Sequence, residues 1–355
     1  MKHKILFVAP ILAVALSACS FHGTKHEMKE YLAGSLEYNV TNDNFRILQL
    51  TDTHIGDKDD QNLHYKFMQK VIDDANNPKK VDMIVITGDL FTFASKSTAK
   101  RFFKFMDSQG IPWTAVFGNH DEQCFFNIDW MTSQLNNRKA YPNCIFKDLQ
   151  NDPLQGNCNF AINVNKDGKV FEQLIMIDSE RYDFGTGFGA YDYIKDNQIR
   201  WYEDFVEYSK DATQHPEFVL DDNARSLMFY HIPIPEINDA YDKGTLIDLG
   251  DGRGTDKANV YREKTCPPDV NSGLFEAIQR TTNKAGEKYT TDMAFGHDHR
   301  NMFIANYQGV TFAYGVKSTD RVYYDEDMLG GQVLTLKSDH TVEYQRLFHT
   351  YKEVK

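Results

Sequence analysis

The sequence predicts an α/β protein built as a four-layer α/β/β/α sandwich, with two mixed β-sheets face to face and helices on the outer surfaces. Two observations carry the prediction. In the first half, apolar runs rich in β-branched or aromatic residues alternate with helical patterns, the βαβ rhythm of a layered sheet. In the second half the strands are shorter and fewer helices separate them, which calls for a second sheet. A third observation places the chemistry. Short polar motifs follow directly on the apolar runs, at strand ends, where α/β proteins keep their functional groups.

Taken in order, the chain opens with Lys2 and Lys4 ahead of an apolar stretch from Ile5 to Leu16 that ends in Leu16-Ser17-Ala18-Cys19. This is the pattern of a signal peptide, and the run is well short of the roughly 20 residues needed to cross a bilayer. Leu-Ser-Ala-Cys resembles the bacterial lipobox. That resemblance implies that residues 1–18 are removed and that Cys19 is lipidated. The mature protein is then expected in the bacterial cell envelope, extracytoplasmic and held to a membrane by its lipid. Residues 19–44 are polar and weakly periodic, and are expected to be a tether. The folded body is expected over residues 45–355.

Within the body, strands are expected at FRILQL, VDMIVIT and WTAVF, then at NFAINV, FEQLIMI, RSLMFYH, DMAFG, MFIAN, VTFAYG, QVLTL and TVEYQRL. Helical periodicity covers residues 61–77, 97–109, 127–138 and 196–210. Residues 239–268 are rich in Gly, Asp and Lys, too long for an ordinary connection, and read as a functional loop.

The 355 residues are 41% hydrophobic and 13% aromatic, enough for a substantial core. The formal charge is −12, and losing Lys2 and Lys4 with the signal takes it to −14. Such a surface repels nucleic acid, so an anionic substrate needs a local positive centre. Beyond Cys19 there are four cysteines: Cys124, Cys144, Cys158 and Cys266. They lack metal-site spacing and are either paired in one of about three ways or are buried free thiols. Cys144 with Cys158 would close a short loop.

Five motifs then follow in order: Asp52-Thr53-His54, Gly88-Asp89, Gly118-Asn119-His120-Asp121, the single His231, and Gly296-His297-Asp298-His299. Side chains at i and i+2 of an extended segment share a face, so Asp52 with His54, and His297 with His299, can grip one ion together. In the third motif Asn119 offers a neutral oxygen ligand. His120 can hold a proton for a leaving group, with Asp121 expected to orient its ring. Two prolines in His231-Ile232-Pro233-Ile234-Pro235 keep the residues around His231 out of a helix. Arg300, next to the last pair, is a possible substrate contact. His64, His215, His340 and His349 fit no motif and are expected at the surface.

The five motifs in this order resemble the calcineurin-like metallophosphoesterases, over nearly all of the chain from Phe45. By that resemblance one metal takes Asp52, His54, Asp89 and His299, and a second takes Asn119, His231 and His297 while sharing Asp89. His120 is then the general acid. Two aspartates against two divalent cations leave the site positive, which suits a phosphoester attacked by a metal-bridging hydroxide. The ions are expected to be transition metals such as Mn, Fe, Zn, Ni or Co. The segments around His231 and Asn271, with Gly296-His297-Asp298-His299-Arg300-Asn301, look like the purple-acid-phosphatase-like branch. True purple enzymes carry a tyrosine ligand shortly after the Gly-Asp motif, and here Thr92 stands there. The resemblance implies a phosphomonoesterase or phosphodiesterase acting on a small substrate outside the cytoplasm. A surface-binding lipoprotein that kept the fold without turnover is the alternative.

Overall fold

Apolar periodicity and turn chemistry place the elements almost where the sequence predicts them. The computed structural model describes residues 26–38, 44–149, 151–183, 190–213, 215 and 218–355. The signal segment and Cys19 lie outside these residues. The elements in chain order are β1 (Leu32–Glu37), β2 (Asn44–Leu50), α1 (Gln61–Ala75), β3 (Met83–Thr87), α2 (Lys96–Ser108), β4 (Trp113–Val116), α3 (Ile128–Leu135), β5 (Phe160–Lys166), β6 (Lys169–Met176) and α4 (Asp196–Lys210). There follow β7 (Leu220–Phe229), α5 (Ile237–Lys243), β8 (Thr245–Leu246), α6 (Lys257–Val260), α7 (Leu274–Arg280), β9 (Thr290–Phe295), β10 (Ile304–Tyr307), β11 (Val310–Tyr314), β12 (Gly330–Lys337) and β13 (Val342–Phe348). The first three helices start at side-chain caps. Asp60, Ser95 and Asn127 each accept a backbone N–H from the first turn, satisfying a donor the helix itself leaves open.

Two mixed sheets result, of five strands in the order β13-β12-β2-β3-β4 and of eight in the order β1-β5-β6-β7-β9-β11-β10-β8. Alternation along the strands of the larger sheet makes the layers. Leu174 and Met176 of β6, and Leu227 and Phe229 of β7, join the core shared with the five-stranded sheet, α1, α2 and α3. Ile175, Met228 and Met293 point the other way, into a second core with α4, α5 and α7. Each such fully buried aliphatic or aromatic side chain contributes roughly 1.5–3 kcal/mol. No helix among the described residues is long and apolar enough to cross a membrane.

Three expectations are corrected. The tether does not run to residue 44, because β1 pairs in parallel with β5 and Tyr31 is buried against Trp201, ring centroids 5.6 Å apart. A half-exposed edge strand shows little periodicity in sequence, which is why it reads as polar linker. His64, His215 and His349 are buried rather than at the surface. His64 bonds the Tyr351 hydroxyl at 2.7 Å, and His215 stacks on Phe218. Residues 239–268, expected as one loop, carry most of α5, the short edge strand β8 and α6. All four described cysteines are free thiols, with Cys144 and Cys158 in the core between the sheets.

Candidate metal centre

Every motif sits at the carboxyl end of a strand. β2, β3 and β4 run parallel, so the segments beginning at Thr51, Gly88 and Phe117 leave the five-stranded sheet at one edge. β7 and β9 are likewise parallel and deliver His231 and Gly296-His297-Asp298-His299 from the eight-stranded sheet. The edges are stitched together. Gln49 Nε2 donates to the Phe295 carbonyl at 3.1 Å, and the His297 N–H donates to Asp52 Oδ2 at 3.2 Å.

Close approach strains the backbone. Asp52, His54, Asp89 and His297 all have φ between 45° and 81°, a region that non-glycine residues seldom occupy and that clusters at functional sites. Gly88, at φ 86°, has no such cost, and a Cβ there would lie 2.4 Å from His231 Nδ1. At Gly296 a Cβ would meet Thr51 Oγ1 at 2.0 Å.

The side chains converge tightly. One ligand atom from each of Asp52, His54, Asp89 and His299 lies within 4.8 Å of the other three, and all four residues are buried. His54 Nε2 is 3.0 Å from His299 Nε2 and 3.5 Å from Asp89 Oδ2, and His299 Nε2 is 3.3 Å from Asp52 Oδ1. On the other side of Asp89, His231 Nε2 lies 3.2 Å from Oδ2. His297 packs edge-on to His231 at 5.3 Å. Asp89 thus stands between the two groups that the resemblance assigns to separate ions.

The donor set fits metal ions. His231 Nδ1 and His299 Nδ1 donate to the carbonyls of Thr87 and Tyr323 at 2.7 and 2.8 Å, which turns each Nε2 inward. Against the cost of burial, Asp89 and Asp52 raise His231 to about 9, so a cation bound there would displace the proton from its Nε2. Asn119 Oδ1 is buried yet makes no hydrogen bond, a costly arrangement unless a cation completes it. Burial, with the positive charge of Lys317 beside it, holds His54 well below its ordinary pKa, and burial with His231 pushes His297 down to about 3. Both imidazoles are therefore neutral, the ligating form. Burial opposes ionisation of Asp52, but His299, His231 and Lys317 outweigh it and hold the carboxyl well below the usual range.

His120 is partly exposed at the rim. Its N–H donates to Asp89 Oδ1 at 2.8 Å and its ring lies edge-on to His54 at 5.0 Å. The expectation that Asp121 orients this ring is corrected. Gln123 Oε1 meets His120 Nδ1 at 2.8 Å, whereas the Asp121 carboxylate turns inward and accepts the N–H groups of Gly118 and Phe91. Two strained loops need those buried acceptors more than the exposed ring does. Burial, with Asp89 nearby, pushes Asp121 up to about 8. Arg300, expected as a possible substrate contact, pairs through Nε with Asp325 at 3.0 Å. Thr92 bonds His54 Nδ1 at 2.7 Å.

Sequence reasoning missed several supporting residues. Lys317, fully buried after β11, donates to the Asp52 carbonyl at 2.8 Å, and burial lowers its ammonium to about 8 despite Asp52 and Asp89. Ser179, Arg181 and Tyr182 follow β6, another strand ending at this edge, and the only available signal was that placement. The 239–268 segment reaches the rim through Glu263, which accepts the Arg300 N–H at 2.6 Å.

Over residues 45–301 the chain matches the family model described as Calcineurin-like phosphoesterase. It is 28% identical over 311 residues to "Probable inactive purple acid phosphatase 14" of Arabidopsis thaliana, covering 79% of this chain and 71% of that protein. It is 25% identical over 283 residues to "Phosphatase DCR2" of Saccharomyces cerevisiae, covering 72% of this chain and 44% of that protein. Among solved structures it is similar to "GAP50 the anchor in the inner membrane complex of Plasmodium", at 15% identity over 88% of this chain and 86% of that one, with a TM-score of 0.45.

Proposed function

This chain belongs to the calcineurin-like phosphoesterase family, and we propose that it is a two-metal phosphoric ester hydrolase acting on a small phosphoester outside the cytoplasm, anchored through Cys19. The observation that carries the reading is the convergence of Asp52, His54, Asp89 and His299 on one point, with His231, His297 and Asn119 next to it. Asp52, His54, Asp89 and His299 would hold one ion, and Asn119, His231 and His297 the other, with Asp89 shared. Bound divalent ions supply positive charge for phosphoryl oxygens and lower the pKa of water.

The protein's own groups do the rest. Gln123 holds the His120 ring through Nδ1, which leaves Nε2, 3.5 Å from the Tyr182 hydroxyl, as the nitrogen that would deliver a proton to the departing oxygen. The backbone N–H of His120 donates to Asp89 Oδ1, which seats the residue beside the shared carboxylate. Thr92 stands where the resemblance would place a tyrosine, so no tyrosinate charge-transfer band is expected from that position in the loaded protein.

The name of the Arabidopsis relative favours a second reading, a binding protein without turnover. All seven ligand positions and His120 are present here, which supports the enzyme. The deciding experiment is hydrolysis by the purified protein of a panel of phosphomonoesters, diesters, cyclic nucleotides and lipid head groups with Mn, Fe, Zn, Ni or Co. Release of product from none of them under any metal leaves only the binding protein.

A further inference from the structure

Asn119, His231 and His297, the ligands assigned to the second ion alone, share a support. It is the segment after β6, Asp178 to Tyr182, together with Tyr191, which pairs with Tyr182 in an isolated β-bridge. Ser179 Oγ accepts the N–H groups of His231 and Ile232 at 3.3 and 2.9 Å. The Tyr182 hydroxyl accepts from Asn119 Nδ2 at 2.7 Å, which fixes the amide so that its oxygen, buried and without a hydrogen bond, is the free end. The Tyr182 ring stacks on Tyr191 at 5.5 Å, and Tyr191 packs edge-on to His297 at 4.5 Å.

One brace therefore meets Asn119, His231 and His297. The first ion's imidazoles rest elsewhere, His54 on Thr92 and His299 on the Tyr323 carbonyl. The brace also reaches the acid. Arg181 pairs with Glu122 at 3.1 Å and with Asp178 at 3.3 Å, tying it to the turn that carries Gln123. The Tyr182 hydroxyl lies 3.5 Å from His120 Nε2. Glu180, between them, is held at φ 63°, strain that the surrounding contacts must sustain.

We infer that Tyr182 is a positioning residue that sets the affinity of the second metal site separately from the first and couples that site to His120. This rests on the two-metal reading above. Outer partners of metal ligands typically change affinity 10–100-fold when removed. Tyr182→Phe keeps the ring stack on Tyr191 and removes only the hydroxyl.

The test is titration of the metal-stripped full chain with Mn(II), followed calorimetrically and by the EPR signal of a coupled Mn pair, with kcat and KM measured at saturating Mn(II). Tyr182→Phe is expected to bind its first equivalent as the unaltered protein does and its second roughly 10–100-fold more weakly. Its kcat should fall on poor leaving groups with KM little changed. Ser179→Ala, acting on the same brace at His231, should also weaken only the second equivalent. Two equivalents at unaltered affinity in both variants, or equal weakening of both equivalents, overturns the inference and leaves the two-metal reading standing. A single Mn(II) bound by the unaltered protein overturns both.

Discussion

The two sheets contribute opposite halves of the metal centre. The five-stranded sheet supplies Asp52, His54, Asp89 and Asn119, including both carboxylates, whereas the eight-stranded sheet supplies only imidazoles, from His231, His297 and His299. Neither half is a site. Two buried carboxylates alone repel one another, and three buried imidazoles alone carry no charge to hold a cation. Each proposed ion needs ligands from both sheets, so metal binding and sheet docking should stabilise one another.

The largest break in this arrangement should come at the residue both ions share. Asp89→Ala is expected to abolish the second equivalent of metal and cut kcat/KM by more than the roughly 100-fold typical of outer partners, as a metal titration and steady-state kinetics would show. Next, removing metal should loosen the sheets. Chelation is expected to lower the thermal midpoint, and metal restored at about 100 times Kd should return about 2.7 kcal/mol, measured by denaturant titration with and without Mn(II). No shift would mean that the sheets dock without help from the ion.

A third prediction separates the rim from the ligands. His120→Ala is expected to keep both equivalents of metal and lose roughly 10²–10⁴ in kcat on poor leaving groups. Gln123→Ala should lose less, with the same leaving-group dependence. If Asp121→Asn reproduces the leaving-group effect and Gln123→Ala does not, Asp121 orients the ring after all.

The smallest effect lies within the eight-stranded sheet, away from the metal edge. Burial pushes the Glu172 carboxyl well above its ordinary 4.5, with Asp292 adding to the effect and Arg225 opposing it. The folded state therefore holds a proton that the unfolded chain has released. This group's contribution is fully present below pH 4.5 and is lost as pH rises toward the raised value. Glu172→Gln should leave stability unchanged near pH 4 and raise it by about 1–2 kcal/mol at pH 8, read from denaturant midpoints. Equal midpoints at pH 8 would show that the folded state does not hold Glu172 protonated.

Most of the fold was legible because its signals are local. The runs at Phe45, Met83 and Trp113 alternate with capped helices, and every strand expected from Phe45 onward is present. β1 was not legible, since an edge strand with one wet face resembles linker. The buried His215 was not legible either, because a lone histidine carries no mark of the Phe218 ring that covers it. At the site, the motif residues could be picked out because several ligands recur at i and i+2. Lys317, Ser179 and Tyr182 escaped notice because each acts on a partner at least 50 residues away in sequence.

By itself, the order of residues determined the α/β layering and which side chains could bind metal, since strand period, helix caps and ligand chemistry are properties of short segments. Only the tertiary structure decided that Gln123 rather than Asp121 holds His120, that Arg300 pairs with Asp325, and that one segment after β6 meets Asn119 and His231 together. Those outcomes depend on which donor finds which acceptor once two sheets close over a space a few ångströms wide, and competition among buried polar groups is settled by distance in the folded chain.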